Sequence, residues 1–405
     1  MAECLLCNTS IEPFISFGKM PIANGFLMPE QFNDEYFFEL KVSFCPSCAM
    51  VQLGEIVDRE KMFHENYAFY SSTSKTMQQH FKQFAEMVQS QYLSDDPFVV
   101  EIGSNDGILL QNFAQAGQRH LGIEPSANVA KVAREKGITA ICEFFDEQLA
   151  ERIVEKHGQA DAFLATNVMC HIPTLHTVAK GIRRLLKPDG VLIFEDPYLG
   201  DIIEKTSYDQ IYDEHAFYFS VTSVGRLFGQ HDLEVFDVEP QTVHGGSMRY
   251  FLCPKGSRPI SDRAAAQRDK EDRLGLHDQS TYDRFRENVE RSREKLMAKL
   301  NELHDQGKRV VGYGATSKST TVTNYCGITK EHVEFICDTT PIKQGRFSPG
   351  AHIPVRRYED FQQAPPEYSL LFAWNHATEI LNKEADYRKA NGKFIVYVPE
   401  VGVLS

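Results

Sequence analysis

From Phe98 onward the chain alternates short apolar runs with amphipathic stretches. FVVEIG (98–103), HLGIEP (120–125), ITAICEFF (138–145) and ADAFLATN (160–167) have strand length and bulk. Between them GILLQNFAQAG, NVAKVAREKG and DEQLAERIVEKHG repeat apolar residues every three or four positions, the helical period. Strands separated by helices build a parallel, doubly wound sheet, because parallel neighbours need a crossover. TVAKGIRRLLKPDGVLIFED (177–196) continues the series, and LEVFDVEP (233–240) with MRYFLCPK (248–255) predicts a closing antiparallel pair.

A second, smaller alternation follows in KRVVGYG, KSTTVTNYCG, VEFICD, YSLLFAW and KFIVYVPEV, all after residue 307. Between the two lies a highly charged helical stretch, 257–306, expected to face solvent. A helical period also precedes the first series, with Phe81, Phe84, Ala85 and Val88 on one face of 78–93. At 405 residues the chain exceeds one ordinary core. The expected organisation is 1–72, cysteine-punctuated; 73–256, the first α/β domain; 257–306, a connector; and 307–405, the second α/β domain.

The formal charge of −13 argues against a nucleic-acid partner, whose phosphates need a basic footprint. No run reaches the roughly 18 apolar residues of a membrane span, so no membrane partner is expected. The start MAECLLCNTS lacks the basic region and apolar core of a secretory signal. A cytoplasmic monomer is expected, its nine cysteines reduced or metal-bound.

Cys4-x-x-Cys7 and Cys45-x-x-Cys48 are two knuckles within one short segment. Four thiolates converging from two such turns suit a closed, tetrahedral, structural Zn²⁺. The remaining cysteines (Cys142, Cys170, Cys253, Cys326 and Cys337) lie in apolar contexts and read as core.

EIGSNDG places Glu101, Gly103, Asn105 and Gly107 at a strand-to-helix turn. It has neither the Lys-Ser/Thr of a P-loop nor a third glycine, and a carboxylate before the first glycine would repel a pyrophosphate. Glu124 ends the next strand, where a carboxylate can take two ribose hydroxyls. This pattern resembles the class I S-adenosylmethionine-dependent methyltransferases. The resemblance implies a seven-stranded sheet with an antiparallel last strand. It also implies Gly103, Asn105 and Gly107 along the methionine part of S-adenosylmethionine, Glu101 beside them, Glu124 at the ribose, Asn167 and His171 near the sulfonium, and Phe145 or its neighbours toward the adenine.

TNVMCHI (166–172) and YDEHAFYF (212–219) are expected at the carboxyl ends of strands four and five, where chemistry gathers in open α/β sheets. His215 has the pKa range of a general base. Glu214 can orient its imidazole or hold a substrate hydroxyl, Tyr212 can donate to an oxyanion, and His171 completes the group. Asp213 has no assigned role. VHGGSMR (243–249) reads either as a substrate wall bearing His244 and Arg249 or as a turn into the last strand. In GYGATSKSTT (312–321), backbone amides and Lys318 could hold a diphosphate at a helix start. Asp338, Lys343 and Arg346 lie where a nucleotide could dock.

The ordered set of four cysteines, EIGSNDG, YDEHAFYFS, HGGS and GYGATSKSTT resembles one family along essentially the whole chain: the nucleotide-diphosphate-sugar C-3′-methyltransferases. The resemblance implies methyl transfer from S-adenosylmethionine to C-3′ of a dTDP- or GDP-linked 4-keto-6-deoxy sugar. His215 is then the base, Tyr212, Glu214 and His171 its supports, and Tyr67 and Tyr70 a cover over the ligands. Tyr67, His244, Lys318, Lys343 and Arg346 would bind the sugar nucleotide between the α/β domains. The alternatives are an O- or N-methyltransferase on the same scaffold and a non-catalytic zinc-containing scaffold protein.

Overall fold

The computed structural model describes residues 2–58 and 75–405; Tyr67 and Tyr70 lie outside the described residues. At the N-terminus β1 (Ala2–Glu3) and β2 (Ser10–Ile11) make a two-stranded ribbon around the first cysteine pair. β3 (Pro13–Pro21), β4 (Phe37–Phe44) and β5 (Val51–Leu53) run antiparallel beside it. Phe38, Leu40 and Val42 of β4 are buried at the period of two that a pleated strand imposes.

The first alternation gives β6 (Phe98–Ile102), β7 (Arg119–Ile123), β8 (Ala140–Ile141), β9 (Ala160–Thr166) and β10 (Leu186–Pro197). β11 (Phe217–Tyr218) leaves the series, and β12 (Leu233–Gln241) and β13 (Ser247–Pro254) close it. Spatial order is β12-β13-β10-β9-β6-β7-β8, with β13 antiparallel to both its neighbours. All five residues of β6 are buried, as befits a central parallel strand covered on both faces. Order reverses at β6, so the crevice beyond its carboxyl end, between β7 and β9, is where such sheets take ligands. Helix Lys75–Tyr92 packs on one face of this sheet with Phe81, Phe84, Ala85 and Val88 inward, starting three residues before the expected position. Of ITAICEFF only Ala140–Ile141 joins the ladder, as an edge pair.

The last alternation builds β14 (Val310–Tyr313), β15 (Ile336–Asp338), β16 (Val355–Arg357), β17 (Tyr368–Leu371), β18 (Lys393–Val396) and β19 (Gly402–Leu404). They form a six-stranded sheet in the order β16-β15-β14-β17-β18-β19, parallel except for β19.

Three expectations need correction. YDEHAFYFS does not extend the end of β10. Helix Leu199–Lys205 and a turn intervene, and β11 pairs with β5 to become the fourth strand of the N-terminal sheet. Leu53 N–H donates to Ala216 O at 3.0 Å, extending that ladder. The charged stretch 257–306 is not a solvent-facing connector. Helix Gln279–Asp305 buries Tyr282, Phe285, Val289, Leu296, Leu300 and Leu303 in one core with the N-terminal sheet and the last domain. Glu271, on helix Asp262–Leu274, is wholly buried and accepts from Val221 N, Thr222 N and Tyr198 OH, capping the helix that starts at Val221. A narrow apolar stripe is easily hidden by the charges on the outer face of such helices. Cys142, lastly, is exposed and not core.

Candidate active site

The four N-terminal cysteines converge. Each offers a sulfur within 4.8 Å of the others, with Cys4–Cys48 at 3.5 Å and Cys7–Cys45 at 3.4 Å. Tetrahedral Zn–S bonds of about 2.3 Å put sulfurs about 3.8 Å apart, so the cage fits zinc. The hydrogen bond it shares with Cys48 lowers the Cys4 pKa to about 5, while that bond and burial push Cys48 up. Helices Leu175–Leu185 and Val221–Gly229 of the first α/β domain hold both knuckles: His176 Nε2 donates to Leu6 O (2.8 Å), and the Arg226 guanidinium to Ser47 O (3.1 Å).

At the carboxyl end of β6 the chain turns through Gly103, Asn105 and Gly107, all at positive φ. A Cβ on Gly103 would stand 2.2 Å from Val168 Cγ2, so only glycine lets this turn meet the loop after β9. Gly107 turns its open side to Ile138. Glu124 is gripped by both oxygens: Oε2 accepts Asn105 N–H (3.0 Å) and Oε1 accepts Ser126 N–H (2.8 Å). Glu101 is fully buried, and desolvation plus the carboxylates of Glu124 and Asp106 raise its pKa well above the usual range. The turn thus carries a buried acid at its base and a restrained carboxylate at its mouth, an acceptor set suited to an amine-bearing, ribose-bearing ligand.

Beyond β9, Asn167 adopts positive φ and its Nδ2 lies 2.7 Å from His244 Nε2, so two separately predicted residues meet. Burial and the nearby Lys318 hold His244 below its ordinary pKa. His171 follows on a single 3₁₀ turn and stacks on His215, ring centroids 5.2 Å apart; Tyr212 covers His215 at 4.2 Å. His215 Nδ1–H points at Gln210 O, 2.8 Å away, which leaves Nε2 as the basic nitrogen. Desolvation holds His215 well below 6.5 and His171 at about 4, so both are neutral at pH 7.

Glu214 does not orient this imidazole; the Gln210 carbonyl does. Glu214 accepts instead from Asn24 Nδ2 (2.7 Å), and Asp213 Oδ1 accepts Ala23 N–H (2.9 Å). Lys343 also faces Glu214 and lowers its burial-raised pKa. Asp213 and Asp209, whose side chains fix this segment, carried no sequence signal beyond lying in or beside it, and Asn24, 190 positions from Glu214, carried none.

In the C-terminal domain, Lys318 Nζ reaches Asn375 Oδ1 (3.1 Å) and sits 5.2 Å above the Trp374 ring. Lys343 donates to Ala315 O (2.7 Å) and Arg346 to Phe26 O (3.1 Å); in these contacts they are struts within the domain and onto the N-terminal one. Asp338 accepts Ala315 N–H and Thr340 N–H, each at 2.7 Å. Arg249, read as part of a substrate wall or of a turn into the last strand, is buried in that strand and clamps Glu195 and Glu239, with His80 on the other Glu195 oxygen at 2.7 Å. A cavity of about 360 Å³ opens between the two α/β domains, with Lys205, Thr242, Gly245, Trp374 and Asn375 in its wall.

Three family models match successive parts of the chain: "Putative zinc binding domain" over residues 4–63, "Methyltransferase domain" over 74–238, and "C-methyltransferase C-terminal domain" over 242–399. C-methyltransferase NovU of Streptomyces niveus is 35% identical over 407 residues, spanning 100% of this chain and 97% of its own. The chain belongs to this C-methyltransferase family. The C-methyltransferase also shares 31% identity over 99 residues with a ubiquinone biosynthesis O-methyltransferase of Acinetobacter baylyi, 24% of this chain and 42% of that one. Magnesium protoporphyrin IX methyltransferase of Synechocystis, solved with bound S-adenosylmethionine, covers 43% of this chain and 78% of its own at 16% identity, TM-score 0.33. The protein is a C-methyltransferase with a four-cysteine cage that fits zinc.

Proposed function

We propose that this C-methyltransferase methylates C-3′ of a nucleotide-linked 4-keto-6-deoxy sugar, with His215 removing the C-3′ proton. One observation carries the reading: His215 Nδ1 is tied to a backbone carbonyl, and its ring packs against those of His171 and Tyr212. An O- or N-methyltransferase has far less need of a buried, neutral, tautomer-fixed base, because its acceptor already bears a lone pair. A 4-keto group acidifies the neighbouring C–H bond. His215 Nε2 takes the proton, and the bond's electron pair spreads onto C-3′ and the 4-keto oxygen. Tyr212 keeps its proton, its pKa being raised well above 10 by burial, so it can donate to that oxygen. Bound S-adenosylmethionine supplies an electrophilic methyl group. Gly103, Asn105, Glu124 and Asn167 are the residues that would hold it, and the cavity beside Lys318 and Trp374 would take the nucleotide.

The test is deuterium uptake at C-3′ of a dTDP-linked 4-keto-6-deoxy sugar in D₂O, without S-adenosylmethionine. Wild type should exchange, and His215→Gln should slow exchange by about 10²–10⁴-fold. Equal exchange by the two proteins would defeat the assignment of the base.

A further inference from the structure

Between β10 and β11 lies a buried turn, Tyr208–Gln210, whose three side chains go three ways. Tyr208 stacks on Phe17 of the N-terminal sheet (6.4 Å) and meets Tyr325 of helix Ser317–Cys326 edge-on. Gln210 turns its amide to Ser207 Oγ (2.8 Å), while its carbonyl takes His215 Nδ1–H. Between them Asp209 is wholly buried. Its Oδ2 accepts both Trp374 Nε1–H (2.6 Å) and Tyr397 O–H (2.8 Å), and its Oδ1 has no hydrogen-bond partner among the described residues. One residue further on, Ile211 O accepts from Thr321 Oγ1 (2.8 Å). The C-terminal domain therefore places three hydrogen bonds on residues 209–211 and none on His215 itself.

A buried carboxylate with one oxygen unsatisfied costs stability that an apolar side chain would not. What it supplies here is a fixed position for the next carbonyl in the chain. We propose that Asp209 is a positioning residue: by tying Trp374 and Tyr397 to the turn, it holds Gln210 O against His215 Nδ1 and keeps Nε2 as the basic nitrogen. This rests on the reading of His215 as the base. Trp374 also walls the inter-domain cavity, so the ring that meets the cavity's contents is the ring that anchors the base's support. A carbonyl displaced by about 1 Å would free the imidazole to turn, a change that costs on the order of a hundredfold in rate.

The experiment is the same D₂O exchange from pH 5 to 9, run on zinc-replete wild type, Asp209→Ala, Asp209→Asn, Tyr397→Phe and His215→Gln, with S-adenosylmethionine affinity by calorimetry. The groups facing His215 are Cys170, His171, Tyr212 and Tyr218, with Lys318 and His244 further off, and none is substituted in the Asp209 and Tyr397 variants; Asp209→Asn reads any effect of the lost charge near Lys318. Asp209→Ala should slow exchange about ten- to a hundredfold and move the acid limb to lower pH, because the imidazolium loses an acceptor. Affinity for S-adenosylmethionine should stay within twofold. Asp209→Asn, whose amide oxygen still accepts both donors, should recover most of the rate. Tyr397→Phe, which removes one donor and keeps the ring, should show the same displacement in smaller measure and reads the effect should Asp209→Ala not fold. An unmoved limb, an unchanged rate, or an Asn variant no better than Ala overturns the proposal. Should His215→Gln exchange like wild type, the base assignment itself fails, a result separable from failure of the Asp209 variants alone.

Discussion

The two α/β domains use one device twice. In the first, Glu124 at the end of β7 grips the amide of Asn105 in the neighbouring glycine turn and the amide two residues on, at Ser126. In the second, Asp338 at the end of β15 grips Ala315 and Thr340 in the same relation. The difference lies in the helix that follows. Helix Leu110–Gln115 packs Leu110 and Phe113 onto its own sheet. Helix Ser317–Cys326 instead spends its hydroxyls on other domains, Thr320 Oγ1 donating to Ala23 O and Thr321 Oγ1 to Ile211 O, each at 2.8 Å. The same strand–turn–helix therefore serves a ligand crevice in one place and an assembly joint in the other.

Removing the metal gives the widest break of that comparison, since the joint also ends on the N-terminal sheet. Zinc chelation or Cys45→Ser should lower methyl transfer by at least about a hundredfold, because Gln52 links the knuckle at Leu5 to β5, and β5 holds β11 beside His215. Full turnover in folded, zinc-free protein, checked by metal analysis and circular dichroism, would contradict it. Next comes Glu124→Ala, expected to weaken S-adenosylmethionine binding about 10–100-fold in calorimetry, the scale of hydrogen bonds to a charged group. Asp338→Ala should leave that affinity within twofold and lower the melting temperature instead. Equal effects on affinity would erase the division of labour between the two domains. The smallest expected change is with pH. His215 is held below 6.5, so exchange should be level from pH 6.5 to 8 and fall only as acid protonates the imidazole below that range. A rise in rate between pH 7 and 8 would contradict a neutral, buried His215.

What was legible in the sequence is local or periodic. The strand–helix alternation, the two Cys-x-x-Cys pairs and the EIGSNDG turn each declare themselves within a dozen residues, and the sheet order and sulfur cage follow. Much of the site is not of that kind. Asn24 and Glu214 meet across 190 positions, and Asp209 and Tyr397 across 188; no window of sequence contains either pair. A two-residue strand such as β11 has no period to detect, and its partner β5 belongs to another domain. Lys318, Lys343 and Arg346 show the converse: basic residues beside a glycine turn suggest a phosphate, and the contacts each makes with a carbonyl of the chain come from distant segments that no motif announces.

β11 also limits how this molecule can be divided. A fragment beginning near residue 73 would carry Phe217 and Tyr218 without the strand they pair with, and the N-terminal piece would display β5 with its hydrogen-bonding edge bare. Bare edges recruit other chains, so each half should self-associate when made alone and stay dispersed when the two are mixed. For this enzyme the smallest portable unit is larger than the methyltransferase fold.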